Sequence, residues 1–184
     1  MRLAKACKAR SIPYVSFYAF STENRNRPKA EVKGLMSLME EKFEGLADEL
    51  AENNVRLNIM GDVTYFGDKL KDIIEECEAR TRSCDGGTVN IALNYGGRDE
   101  LERAAKLQAN GSNRPLSDFL YTAGQPDPDI LIRTGGEKRL SNFMLYQLAY
   151  TELFFVDTFW PDFTEKELDE IIEEYYKRDR RFGK

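Results

Sequence analysis

Short runs of aromatic and β-branched residues alternate along this chain with longer stretches whose apolar residues recur every three or four positions. That alternation is the tightest constraint on the fold. A strand buried on both faces reads as a continuous apolar run, and a helix lying on it shows a single apolar stripe. Strands separated by helices need crossover connections, so the reading is an α/β fold with a mostly parallel central sheet flanked by helices. The runs predict strands over Tyr14–Phe20, Val55–Met60, Thr88–Leu93, Ile130–Ile132 and Leu153–Val156. The stripes predict one long helix from Val32 to Leu50, then helices around Leu70–Cys77 and over Asp99–Ala109, Leu140–Tyr150 and Glu165–Arg178. No repeat, low-complexity tract or linker interrupts them, so 184 residues are expected to form a single domain over 1–184.

Composition narrows the chemistry. With 27 Lys and Arg against 32 Asp and Glu, the net charge of −5 argues against a nucleic-acid binder. Histidine is absent, which removes Ser-His and Cys-His dyads and Cys/His zinc sites. Three cysteines, Cys7, Cys77 and Cys84, are an odd number without a C-x-x-C pair, so a reducing cytoplasm is expected. No apolar run approaches the ~20 residues that span a bilayer, and no signal peptide is read near Met1.

In parallel sheets ligands sit beyond the carboxyl ends of the strands. Three polar loops fall at such ends: Ser21–Arg27, Asn94–Arg98 and Arg133–Ser141. The last is the most informative. It offers Arg133 and Arg139, the Gly135-Gly136 pair and the Ser141 hydroxyl just after a strand. Guanidinium forks suit phosphate oxygens, and a helix starting near Ser141 would add its N–H groups. The pattern reads either as a diphosphate pocket or as a solvated turn with Ser141 as helix N-cap. Asn94-Tyr95-Gly96-Gly97-Arg98 is a turn or a close backbone approach to a ligand. Ser21–Arg27 alone favours a capped helix start opened by Pro28. Glu152 is a surface carboxylate or a ligand for a hard cation. Arg180-Arg181-Phe182-Gly183 reads by default as a solvated tail.

Together these segments resemble the cis-prenyltransferases, the family of undecaprenyl diphosphate synthase. The matching stretches run in family order: Tyr18-Ala-Phe-Ser-Thr-Glu-Asn24, Asn26-Arg27-Pro28, Val55-Arg56-Leu57 with Gly61-Asp62, Asn94–Arg98, and Asp127-Pro128-Asp129 through Arg133. Gly136-Glu137, Arg139-Leu-Ser-Asn-Phe143, Gln147–Tyr150, Glu152–Phe155, Trp160-Pro161-Asp162-Phe163 and Arg180–Gly183 follow.

The resemblance implies an enzyme that adds isopentenyl diphosphate, with cis double bonds, to an allylic diphosphate such as farnesyl diphosphate. The product would be a cis-polyprenyl diphosphate such as undecaprenyl diphosphate, the lipid carrier of cell-wall synthesis. It implies Mg²⁺ and a homodimer, with peripheral membrane contact only through the lipid product. By the same resemblance Arg133, Arg139 and Ser141 would hold isopentenyl diphosphate. Glu152 would share the metal with the other subunit, and Ser21, Asn24 and Arg27 would flank the reacting carbons. Arg181 and Gly183 would reach the partner's phosphates. Val32, Leu35, Met36 and Met39 would line a product tunnel, though any core-facing helix shows the same stripe.

The chain also departs from the pattern. The family's first strand, with its Asp-Gly-Asn-Gly-Arg-Trp segment, is not in this sequence, and Met1–Ala9 reads as the helix that follows it. The chain is therefore expected to be an N-terminally incomplete cis-prenyltransferase-like domain. The alternative is a non-catalytic relative that keeps the isopentenyl diphosphate site and works as a dimer partner. Arg25 and Tyr146 stand where bacterial members usually carry Trp, and the stretch between Arg98 and Pro126 is shorter than usual.

Overall fold

The computed structural model describes residues 2–110 and 113–178. Its chain divides into two compact units, the first ending at Pro126 and the second beginning at Asp127.

The first unit opens with helix α1 (Arg2–Ala9) and strand β1 (Tyr14–Ser21), then a 3₁₀ turn over Thr22–Asn26. Helices α2 (Lys29–Glu44) and α3 (Leu46–Glu52) lead to strand β2 (Arg56–Met60) and a 3₁₀ turn over Val63–Phe66. Helix α4 (Asp68–Thr81), strand β3 (Thr88–Tyr95), helix α5 (Gly97–Ala109) and a short turn at Leu116–Phe119 complete it. The single long helix expected up to Leu50 is two helices. Gly45, a poor helix former, ends α2 and starts α3, whereas Gly34 is carried inside α2.

The three strands form a parallel sheet in the order β1-β3-β2. Side chains alternate across it, so its two faces differ. Val15, Val89 and Leu57 lie abreast, followed by Phe17, Ile91 and Ile59, on the face that packs on α2, α3 and α4. Leu50, Leu70 and Ile74 on those helices are fully buried, each stabilising by about 1.5–3 kcal/mol. Val32, Leu35, Met36 and Met39 pack against this same core.

The opposite face carries a polar rung. Ser16, Asn90 and Asn58 share one register. Asn58 Nδ2 donates to Asn90 Oδ1 (2.7 Å), and Asn90 Nδ2 donates to Ser16 Oγ (3.0 Å). Gln125 covers the rung, exchanging two hydrogen bonds with Asn90. A buried carboxamide stays satisfied that way. Strand β2 is a sheet edge, and α4 closes it. Thr81 Oγ1 accepts from Leu57 N–H (3.1 Å) and Glu78 Oε1 from Ile59 N–H (2.8 Å). Those outward N–H groups would otherwise be a template for another strand.

The second unit holds strands β4 (Ile130–Arg133) and β5 (Glu152–Phe155), paired in parallel, and helix α6 (Glu165–Lys177). Short 3₁₀ turns occupy Gln147–Tyr150 and Trp160–Asp162. The α-helix expected over Leu140–Tyr150 does not form. Ser141, Asn142 and Met144 have φ of 49°, 63° and 43°, a left-handed backbone that no right-handed helix accommodates.

Candidate active site

Strand β4 ends at Arg133, whose Nη1 donates to Ser141 Oγ (2.8 Å) and to the Arg139 carbonyl. Arg139 in turn pairs with Glu137. The two glycines make this return possible. Gly135 and Gly136 have φ of 85° and 76°, and their N–H groups bond Thr158 O and Val156 O at 2.9 Å. Residues with side chains rarely adopt such angles. The structure therefore gathers Arg133, Arg139 and Ser141 into one loop. Ser141 is not a helix N-cap, because an N-cap has extended backbone and opens a helix, and neither holds here. Among the described residues no α-helix opens within this loop.

Glu152 opens β5, abreast of Ile130, whereas Arg133 lies three positions further along β4, beside Phe155. At ~3.3 Å per residue the two are about 10 Å apart along the strands. Arg178 donates to Glu152 Oε2 (2.6 Å) and to Glu174 (2.7 Å), with its guanidinium 4.0 Å from the centre of the Phe154 ring. No cluster of three or more metal-ligating side chains occurs among the described residues. A single carboxylate still fits Mg²⁺, which keeps several waters and shares its remaining positions with substrate phosphates.

In the first unit, Ser21 and Asn24 form a reciprocal capping box. Asn24 N–H donates to Ser21 Oγ (3.2 Å) and Ser21 N–H donates to Asn24 Oδ1 (2.9 Å). Arg27 pairs with Glu31 on α2 (2.5 Å). Sequence reasoning passed over Tyr18, whose hydroxyl donates to Tyr95 O (3.1 Å). Burial first, then the Glu23 carboxylate, push this phenol up to about 12 against a hydrogen bond with Ser21, and Asp99 adds to the rise. It stays a neutral hydrogen-bond donor beside the capping box. Its signal was the polar alternation Ser16, Tyr18 within a run read as core. Arg178 was likewise missed, because it reads only as the closing residue of the helix over Glu165–Arg178. Arg181 and Gly183 lie outside the described residues.

The family model described as "Putative undecaprenyl diphosphate synthase" matches residues 1–183. The chain belongs to this prenyltransferase family. The isoprenyl transferase of Listeria monocytogenes serovar 1/2a is 46% identical over 193 residues, spanning 99% of this chain and 77% of that protein. The isoprenyl transferase of Wolinella succinogenes is 46% identical over 181 residues, spanning 96% of this chain and 79% of that one. Among solved structures, a "probable undecaprenyl diphosphate synthase" from Campylobacter jejuni superposes with a TM-score of 0.91 at 38% identity. It covers all of this chain and 89% of that one. Lavandulyl diphosphate synthase from Lavandula x intermedia, solved with dimethylallyl diphosphate, also gives 0.91, at 32% identity over 98% of this chain and 83% of that one.

The expected prenyltransferase on a parallel α/β fold is thereby met. No helix among the described residues is long and apolar enough to cross a membrane.

Proposed function

We propose that this prenyltransferase condenses isopentenyl diphosphate with an allylic diphosphate such as farnesyl diphosphate, giving a cis-polyprenyl diphosphate of the undecaprenyl type for cell-wall lipid carriage. The observation that carries the reading is the loop in which Arg133 grips Ser141 and the Arg139 carbonyl, within a chain of this family. Two guanidinium groups and a hydroxyl match the charge and acceptors of a diphosphate. Mg²⁺, held through Glu152, would neutralise negative charge developing on the departing diphosphate. Ser21, Asn24 and Arg27 take the role of flanking the reacting carbons. Arg181 and Gly183 take that of reaching the partner's phosphates.

The working form is a homodimer. Glu152 lies at the amino end of β5, about 10 Å along the strands from Arg133, so a role toward the other subunit's site is economical. Tyr150, Phe159, Trp160 and Tyr176 of the second unit are exposed, apolar side chains of the kind a second copy would cover. Three unpaired, buried cysteines favour the cytoplasm, with the membrane met through the product.

The test is prenyl transfer by the purified chain with labelled isopentenyl diphosphate, farnesyl diphosphate and Mg²⁺. Butanol-extractable polyprenyl product supports the reading. Bound isopentenyl diphosphate without product contradicts turnover by this chain, as an N-terminally incomplete enzyme or a diphosphate-binding dimer partner would give.

A further inference from the structure

The carboxyl ends of β1, β2 and β3 release three turns, and Asn94 touches both of its neighbours. It is 2% exposed. Its Nδ2 donates to Asp62 O (2.6 Å), while its Oδ1 accepts from Arg25 Nε (2.5 Å). Asn94 adopts a φ of 49°, a conformation asparagine tolerates better than most residues. Asp62 is itself anchored. Its carboxylate caps the following 3₁₀ turn through Thr64 N–H (3.0 Å), and Gly61 before it lies hard against the backbone of Leu93.

Arg25 belongs to the same short turn as Ser21 and Asn24, and its surface is largely open to solvent. An exposed arginine ordinarily samples many rotamers. Here the guanidinium also lies 4.8 Å from the centre of the Tyr65 ring, and Tyr65 packs on Phe20 and Phe66. A hydrogen bond to a buried carboxamide and a cation–π contact fix it from two directions. The capping box closes the turn on itself, and Arg25 ties the closed turn to the other two strand ends.

We propose that Arg25 and Asn94 are positioning residues: Asn94, seated on Asp62, holds Arg25 and so fixes the orientation of the Ser21–Arg27 turn. Its bearing on turnover rests on the reading that Ser21, Asn24 and Arg27 flank the reacting carbons. Neither Arg25 nor Asn94 touches substrate in this scheme.

The test uses the full chain labelled with ¹⁵N. In the wild type the Arg25 Nε–H gives a dispersed, exchange-protected signal, because it is bonded to Asn94 and lies over Tyr65. Asn94→Asp keeps the acceptor for Arg25 but gives up the donor that seats it on Asp62 O, so the signal persists with reduced protection. Arg25→Ala, at an exposed position, leaves the thermal midpoint nearly unchanged. It raises hydrogen exchange at the Asn24 backbone N–H by about tenfold, as expected when a charge-assisted tether is lost. In prenyl transfer it lowers kcat by about tenfold with KM for isopentenyl diphosphate unchanged, the signature of misplaced rather than missing contacts. An unprotected Nε–H in the wild type, or unchanged Asn24 exchange in Arg25→Ala, overturns the proposal. Faster Asn24 exchange with unchanged kcat supports the tether and overturns the placing of the turn beside the reacting carbons.

Discussion

Arg139 rests on Glu137 with 61% of its side chain in water, so it is ordered by one exposed ion pair and free to turn toward a ligand. Arg139→Ala should weaken isopentenyl diphosphate by about 2 kcal/mol, roughly thirtyfold in Kd, without changing the thermal midpoint. Unchanged affinity in a calorimetric titration would remove Arg139 from the site. Glu78 behaves differently because it is packed under the sheet edge. Burial pushes its carboxyl up, against the hydrogen bond from Ile59 N–H, with Glu75 also raising it and Arg82 lowering it. A carboxyl raised in the folded state gives its full contribution below the unfolded value, and stability falls as pH rises through the folded one. Glu78→Gln keeps the acceptor and removes that fall. Its thermal midpoint should match the wild type near pH 4 and equal or exceed it at pH 7. A clear wild-type advantage at pH 7 would contradict the desolvation argument. At this scale the gathering of Arg133, Arg139 and Ser141 in one loop was legible because they are close in sequence. Tyr18 and Arg178 were not, because their roles depend on Tyr95 O, 77 residues away, and on Glu152, 26 residues away.

Among the elements, α6 shows how much a short signature can carry. Thr164 accepts from Glu167 N–H (3.2 Å), and Glu167 Oε2 accepts from Thr164 N–H (2.8 Å), the reciprocal box that the Thr-x-x-Glu spacing announces. Thr164→Ala should cost about 1 kcal/mol in denaturant unfolding. Gly61 is the harsher case. With φ of 124°, an added Cβ would fall 2.0 Å from Leu93 O. Gly61→Ala should destabilise by about 3 kcal/mol, read in the same experiment. Most strands and helices were legible within a residue or two, because buried runs and apolar stripes survive in one dimension. The segment after Ser141 misled for a physical reason. Its apolar residues, Phe143, Met144 and Leu148, are buried as a helix stripe would be, yet they reach the interior from an irregular segment, left-handed at Met144 and 3₁₀ at Leu148. The split at Gly45 was not readable, because the apolar spacing continues across it and Gly34, an equal candidate, leaves α2 unbroken.

For the whole molecule, the sequence showed α/β alternation but not that its contacts divide at Pro126 into two compact units, each with its own parallel sheet. Strand pairing is a long-range choice, and local patterns carry little of it. The proposed homodimer belongs to this scale. Sedimentation should give a mass near twice 21.2 kDa, and charged substitutions at Tyr150 and Phe159 should lower it toward one. A monomeric wild type would remove the support for a metal site shared through Glu152. The central claim is that the loop from Arg133 to Ser141 is a diphosphate site. Titration calorimetry of the purified chain with isopentenyl diphosphate tests it most directly. Saturable binding at one site per chain is expected, lost or much weakened when Arg133 and Arg139 are both replaced by alanine. Absence of binding by the wild type, or equal binding by the double variant, would contradict it.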